Sequence, residues 1–191
     1  TEVPVGAVID YALSRPDVDA ERLALAGFSM GGYFAPRAAA FDKRIKALIA
    51  DPPNPEMRRL IIMAMGLFDH VFQESIIEDA DNLVNWEDVV VQWFYNEARH
   101  RVGASSITGF LEALRPYNLW GLEDKITCPT LALAGESELA SVETFGKPWF
   151  DDLKCPKHYH IFTAEEGAEV HCQLNNVSRL YQVMFDWLDD T

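Results

Sequence analysis

Cysteine, basic residues and long apolar runs are all scarce in this chain. Cysteine occurs three times, as Cys128, Cys155 and Cys172. An odd number at these spacings fits neither a disulfide framework nor a zinc site, so reduced thiols in a cytoplasmic protein are expected. Lysine and arginine number 16 against 30 acidic residues, giving a net charge of −14 and a pI near 4.6. That balance excludes nucleic acid and an anionic membrane surface as partners. The longest apolar run covers residues 60–65, far short of the roughly 20 residues that cross a bilayer. Internal repeats, low-complexity segments and clusters of metal-ligating residues are absent from the sequence. Gly27, Gly31 and Gly32 miss the dinucleotide spacing, and no cofactor or metal is expected.

What is present is an ordinary globular composition. Of 191 residues, 49% are hydrophobic and 24% charged, enough for one substantial core. Val5, Val8, Ile9, Ala12 and Leu13 recur at helical spacing and predict a helix over 4–14. Short apolar runs at 22–27, 45–50, 128–135 and 158–162 predict strands, the first of them covered on both faces. A helix is expected from the first strand to about Phe41, kinked at Pro36. Residues 56–118 hold helical patterns only, with dense aromatics such as Phe68, Phe72, Trp86 and Trp93. A closing helix is expected over 174–189, with Leu174, Val177, Leu180, Tyr181, Met184 and Leu188 on one side. Strand–helix alternation around a helical insert predicts an α/β fold, a mostly parallel sheet with helices on both faces. The segments are a core half (1–55), a helical insertion (56–118) and a second core half (119–191).

Between the first strand and its helix stands Gly27-Phe28-Ser29-Met30-Gly31. A serine between glycines at such a junction reads as a nucleophile elbow. The turn holds the serine in a strained conformation, and Gly27 and Gly31 are expected to make room for it. The Met30 N–H then points where an oxyanion would form. A serine needs a base, and the base needs an orienting group. In parallel sheets such groups gather at the carboxyl ends of strands. His171 is the candidate base, because it sits in the loop after the last strand. His70 and His100 fall in the helical insert, and His158 and His160 share one face of a strand. Three strand-end carboxylates compete for the third role: Glu138 ranks first, then Asp51, then Glu136. Ser105, Ser106 and Ser141 have ordinary turn settings.

The order Ser29, Glu138, His171 is that of the α/β-hydrolases, and the chain resembles that superfamily. The stretch from Gly27 to Tyr33 is similar to its elbow, and Cys128-Pro129-Thr130-Leu131 with Gly135-Glu136-Ser137-Glu138 to its acid-bearing segment. Aspartate is commoner there than Glu138. Residues 165–173 and 31–40 resemble a narrower group, the 2,6-dihydroxypseudooxynicotine hydrolase-like and FrsA-like enzymes and related fungal hydrolases that trim polyketides. The resemblance implies a serine hydrolase acting on a small, largely hydrophobic ester or ketone, with carbon–carbon bond cleavage in some members. It also implies the C-terminal portion of the fold, a cap formed by the helical insertion, and a second oxyanion donor in sequence preceding Thr1. A homodimer is compatible with it. The rival expectation is a ligand-binding module on the same scaffold with little turnover.

Overall fold

The computed structural model describes residues 2–67, 76–138 and 142–191. Phe68, His70, Phe72 and Ser141 lie outside them. The chain divides into two compact units, Thr1–Pro55 with Leu119–Thr191, and Glu56–Asn118.

The first unit is built on strands β1 (Ala24–Phe28), β2 (Ala47–Asp51), β3 (Thr130–Gly135) and β4 (Lys157–Phe162). They lie side by side in chain order, every pair parallel. Such an arrangement needs a crossover after each strand, and the intervening segments supply it. Helix α1 (Glu2–Leu13) precedes β1, and α2 (Gly31–Phe41) joins β1 to β2 with Pro36 inside it. Both central strands are buried at every position, as their largely apolar sequences favour.

Ile49, Leu131, Leu133 and Phe162 line one face of the sheet. There they form a core with Ala168 and with Leu180 and Met184 of the last helix, Val177–Asp189. The other face carries Gly27 and Ala50 and receives α2. It also carries Tyr159, whose ring packs 5.2 Å from that of Phe150. Phe150 belongs to the helix Lys147–Asp152, a short element that the sequence reading did not anticipate. It is α7 and the last helix α8, with four between α2 and α7 among the described residues of the second unit. The Lys157 ammonium binds the carbonyls of Phe150 at 3.0 Å and Leu153 at 2.9 Å, placing a cation at the negative end of α7.

Two expectations are corrected here. β1 is not covered on both faces: Ala24, Ala26 and Phe28 are exposed, while Gly27 is buried. α8 covers β2 to β4, and its face of β1 is left bare. The closing helix starts at Val177, not residue 174, and the apolar side expected of it is split. Leu180 and Met184 are buried, and Leu188 packs beside them. Leu174, Val177, Tyr181 and Phe185 are exposed.

The second unit contains α3 (Met57–Ala64), α4 (Ile76–Leu83), α5 (Val89–Arg101) and α6 (Ile107–Ala113). Asp88 caps α5 by accepting from the Val90 N–H at 2.7 Å, and Ser106 caps α6 through the Gly109 N–H at 3.0 Å. The Asp81 carboxylate accepts from the N–H groups of Ile107 at 2.8 Å and Thr108 at 3.0 Å, so α4 carries a cap for α6. These bonds satisfy donors that every helix start leaves free.

Candidate active site

Ser29 occupies the turn between β1 and α2 with φ 55°. The left-handed region costs a residue with a side chain roughly 1–2 kcal/mol. Two main-chain bonds hold it there. The Ser29 N–H donates to the Asp51 carbonyl at 2.7 Å, and the Gly32 N–H to the Ser29 carbonyl at 2.9 Å. A Cβ on Gly27 would stand 2.0 Å from the Gly31 oxygen, and one on Gly32 would stand 1.8 Å from the Pro52 oxygen. A Cβ on Gly31 would meet nothing within 4 Å. The expectation that Gly27 and Gly31 make room for the turn is therefore corrected to Gly27 and Gly32. It is the second residue of α2 that runs against the chain leaving β2. Met30 precedes α2, at the end where helix N–H groups have no carbonyl of their own turn to bond.

His171 reaches Ser29 from the opposite edge of the sheet. Three strand spacings, roughly 14 Å, separate β1 from β4. The segment after β4 returns over the strand ends, tied at each one. The Ala164 N–H donates to Glu136 Oε2 at 2.8 Å, just past β3. The Glu169 carbonyl accepts from Ser137 N at 3.1 Å and Ser137 Oγ at 2.6 Å. Cys172 Sγ lies 3.6 Å from the Asp51 carbonyl at the end of β2. Beside β1, His171 Nε2 lies 3.0 Å from Ser29 Oγ.

The other ring nitrogen, Nδ1, contacts Glu138 Oε1. Glu138 Oε2 lies 3.4 Å from the Gly135 N–H. With the ring neutral, Nδ1–H donates to Glu138 and the serine hydroxyl donates to Nε2. The His171 side chain is 49% exposed and Glu138 only 15%, so the ring is open to solvent while its partner is shielded. The Cys172 side chain and then the Glu138 carboxylate hold His171 charged up to about 10, against the opposing effect of burial.

The structure thus brings Ser29, His171 and Glu138 into one hydrogen-bonded series. Glu136 is engaged with the Ala164 N–H instead. Asp51 is fully buried, and neither carboxyl oxygen has a hydrogen-bond partner among the described residues. Burial, then the Glu138 charge, push its carboxyl up to about 7, while His171 and Gln173 act the other way. His158 and His160 stand on the α8 face of β4, and Ser106 is spent on its helix cap. Sequence reasoning missed Cys172 and Gln173 as the supports of the histidine turn. Both have left-handed φ, 51° and 48°, and non-glycine residues in that region leave no mark in a sequence.

No family model matches the chain. Among solved structures, the hydrolase GrgF from Penicillium sp. sh18 superposes with a TM-score of 0.65 at 19% identity, over 99% of this chain and 70% of that one. The 2,6-dihydroxy-pseudo-oxynicotine hydrolase superposes with a TM-score of 0.54 at 19% identity, over 99% and 45%. The chain has the α/β-hydrolase fold. Among curated proteins with related sequences, the 20-hydroxy-prefusarin hydrolase FUS2 of Gibberella moniliformis is 28% identical over the whole chain. This α/β-hydrolase-fold chain spans about half the length of that relative, 49%. Among the described residues no helix is long and apolar enough to cross a membrane.

Proposed function

We propose that the chain carries the working residues of a serine hydrolase. The observation that carries this reading is the series Ser29 Oγ, His171 Nε2 at 3.0 Å, and His171 Nδ1 against Glu138. In the neutral-ring state His171 takes the hydroxyl proton as Ser29 Oγ bonds to an acyl or ketone carbon. The Met30 N–H supplies one donor to the oxyanion. Collapse breaks the bond to the leaving oxygen or carbon, which receives the proton from the imidazolium. Water, deprotonated by the same ring, then releases the acid. Glu138 holds the ring with Nε2 towards Ser29.

The substrate class is a small, largely hydrophobic ester or ketone, including carbon–carbon (retro-Claisen-type) hydrolysis of a polyketide-like compound. The name of FUS2, a hydrolase of 20-hydroxy-prefusarin, supports hydrolysis of a small organic compound. The electrostatic setting of His171 favours a non-catalytic ligand-binding module instead. A His171 that stays charged up to about 10 is a poor base at neutral pH. Labelling by a fluorophosphonate separates the two. A hydrolase incorporates the probe at Ser29 and loses it in Ser29→Ala. No incorporation by the full-length protein at any pH up to 10 would sink the hydrolase reading.

A further inference from the structure

One carbonyl oxygen, that of Asp51, is shared by both strained turns of the site. It accepts from the Ser29 N–H at 2.7 Å and faces Cys172 Sγ at 3.6 Å. Both residues have left-handed φ. The same residue buries a carboxyl whose oxygens have no hydrogen-bond partner among the described residues, and the fully buried Gln173 amide, which acts on that carboxyl, is in the same condition. Two adjacent buried polar groups of complementary type rarely stay unpaired, because each would forfeit its hydration.

We propose that Asp51 is a positioning residue of the Ser29–His171–Glu138 series, with its carbonyl holding the two turns together and its carboxyl paired to the Gln173 amide. The pairing needs the neutral acid. Its O–H donates to Gln173 Oε1 while Gln173 Nε2–H donates to the second carboxyl oxygen. An anion there would have one donor and would face the Glu138 carboxylate. The charged or titratable groups around it are Glu138 after β3, His171 and Cys172 in the returning turn, and Tyr159 on β4, whose hydroxyl is pushed up by burial and by Glu138 and Asp51 among other acids. With the carboxyl raised to about 7, the neutral acid persists to near neutral pH. Above that, the pair opens and the new anion holds His171 more firmly protonated.

The proposal rests on the hydrolase reading for its activity readout alone. Fluorophosphonate labelling against pH is measured for wild type, Asp51→Asn, Asp51→Val and Gln173→Leu, with His171 ring titration by NMR and melting temperature on the same samples. Asp51→Asn, which mimics the neutral acid, labels at pH 6 within about threefold of wild type, and the two apolar variants are slower by about 30-fold or more. The wild-type profile bends near pH 7 and that of Asp51→Asn does not. The His171 titration falls in Asp51→Asn, since a neighbouring anion is gone. The folded state binds the Asp51 proton more tightly than the unfolded chain. Wild-type stability is therefore lost as pH rises from the ordinary carboxylate range to about 7, a loss that Asp51→Asn lacks. A bend that survives in Asp51→Asn, an unmoved His171 titration, or Asp51→Val labelling at the wild-type rate overturns the proposal. If no variant labels, the hydrolase reading falls, and the ring titration and melting curves still decide Asp51.

Discussion

Around Ser29 the steric demand is uneven, and that asymmetry is open to substitution. Alanine at Gly27 or Gly32 would drive a Cβ into main-chain oxygens at 2.0 Å and 1.8 Å, whereas alanine at Gly31 enters open space. Backbone obstacles yield only by moving a strand or a helix. Gly31→Ala is expected to fold like wild type, and Gly27→Ala and Gly32→Ala to lose Ser29 labelling and several degrees of melting temperature. Equal tolerance at all three positions would contradict the turn described here. A second prediction concerns His171. The base form is the neutral ring, which becomes abundant only above its pKa of about 10. Away from the bend ascribed to Asp51, labelling should climb with pH and level off near 10, well above the ordinary histidine value of about 6.5. Glu138→Gln should move the climb to lower pH, because one stabiliser of the imidazolium is gone. It should also cut the plateau by on the order of 10³-fold or more, because the ring loses its orienting acceptor. A wild-type plateau already reached at pH 7 would count against the ion pair.

At the scale of the element, α8 shows what periodicity can and cannot reveal. Leu180 and Met184 belong to the core, while Tyr181 and Phe185 one position on are 50% and 59% exposed. Leu180→Ala is expected to cost about 2–5 kcal/mol by leaving a cavity, and Phe185→Ala less than about 0.5 kcal/mol, both read by denaturant unfolding. The apolar run of this helix is too wide for the sequence to say which stripe turns inward. The same limit hid the bare face of β1, since Leu23-Ala24-Leu25-Ala26 is as continuously apolar as β2 and only neighbouring helices decide coverage. The parallel sheet was legible because its strands are short apolar runs separated by helix-length segments. Helix α7 was not, for it is one and a half turns long and its order comes from the burial of Trp149 and Phe150, the latter against Tyr159 of β4. The partner of His171 was not legible either. Asp51, Glu136 and Glu138 all end strands, and what separates them is where the returning segment crosses, which no local pattern encodes.

For the whole molecule, surface and charge oppose one another. Among the described strands β1 and β4 form the two edges of the sheet, and Phe28 on β1 and Val8 and Tyr11 on α1 are exposed. Open edges invite pairing between chains, while a net charge of −14 repels them. The chain is expected to run as a monomer in dilute buffer near pH 8. It should associate as salt rises to about 0.5 M, where screening shortens to a few ångströms, or as pH falls towards 4.6. Light scattering coupled to size exclusion reads this directly, and a mass independent of both variables would show that the edges are inert. The path of the segment after β4 has a consequence for biosynthesis. Ser29 leaves the ribosome 142 residues before His171, which follows every strand its segment must cross. Capacity to react at Ser29 is therefore acquired only once the segment bearing His171 has been made, and chains cut before His171 should remain chemically silent.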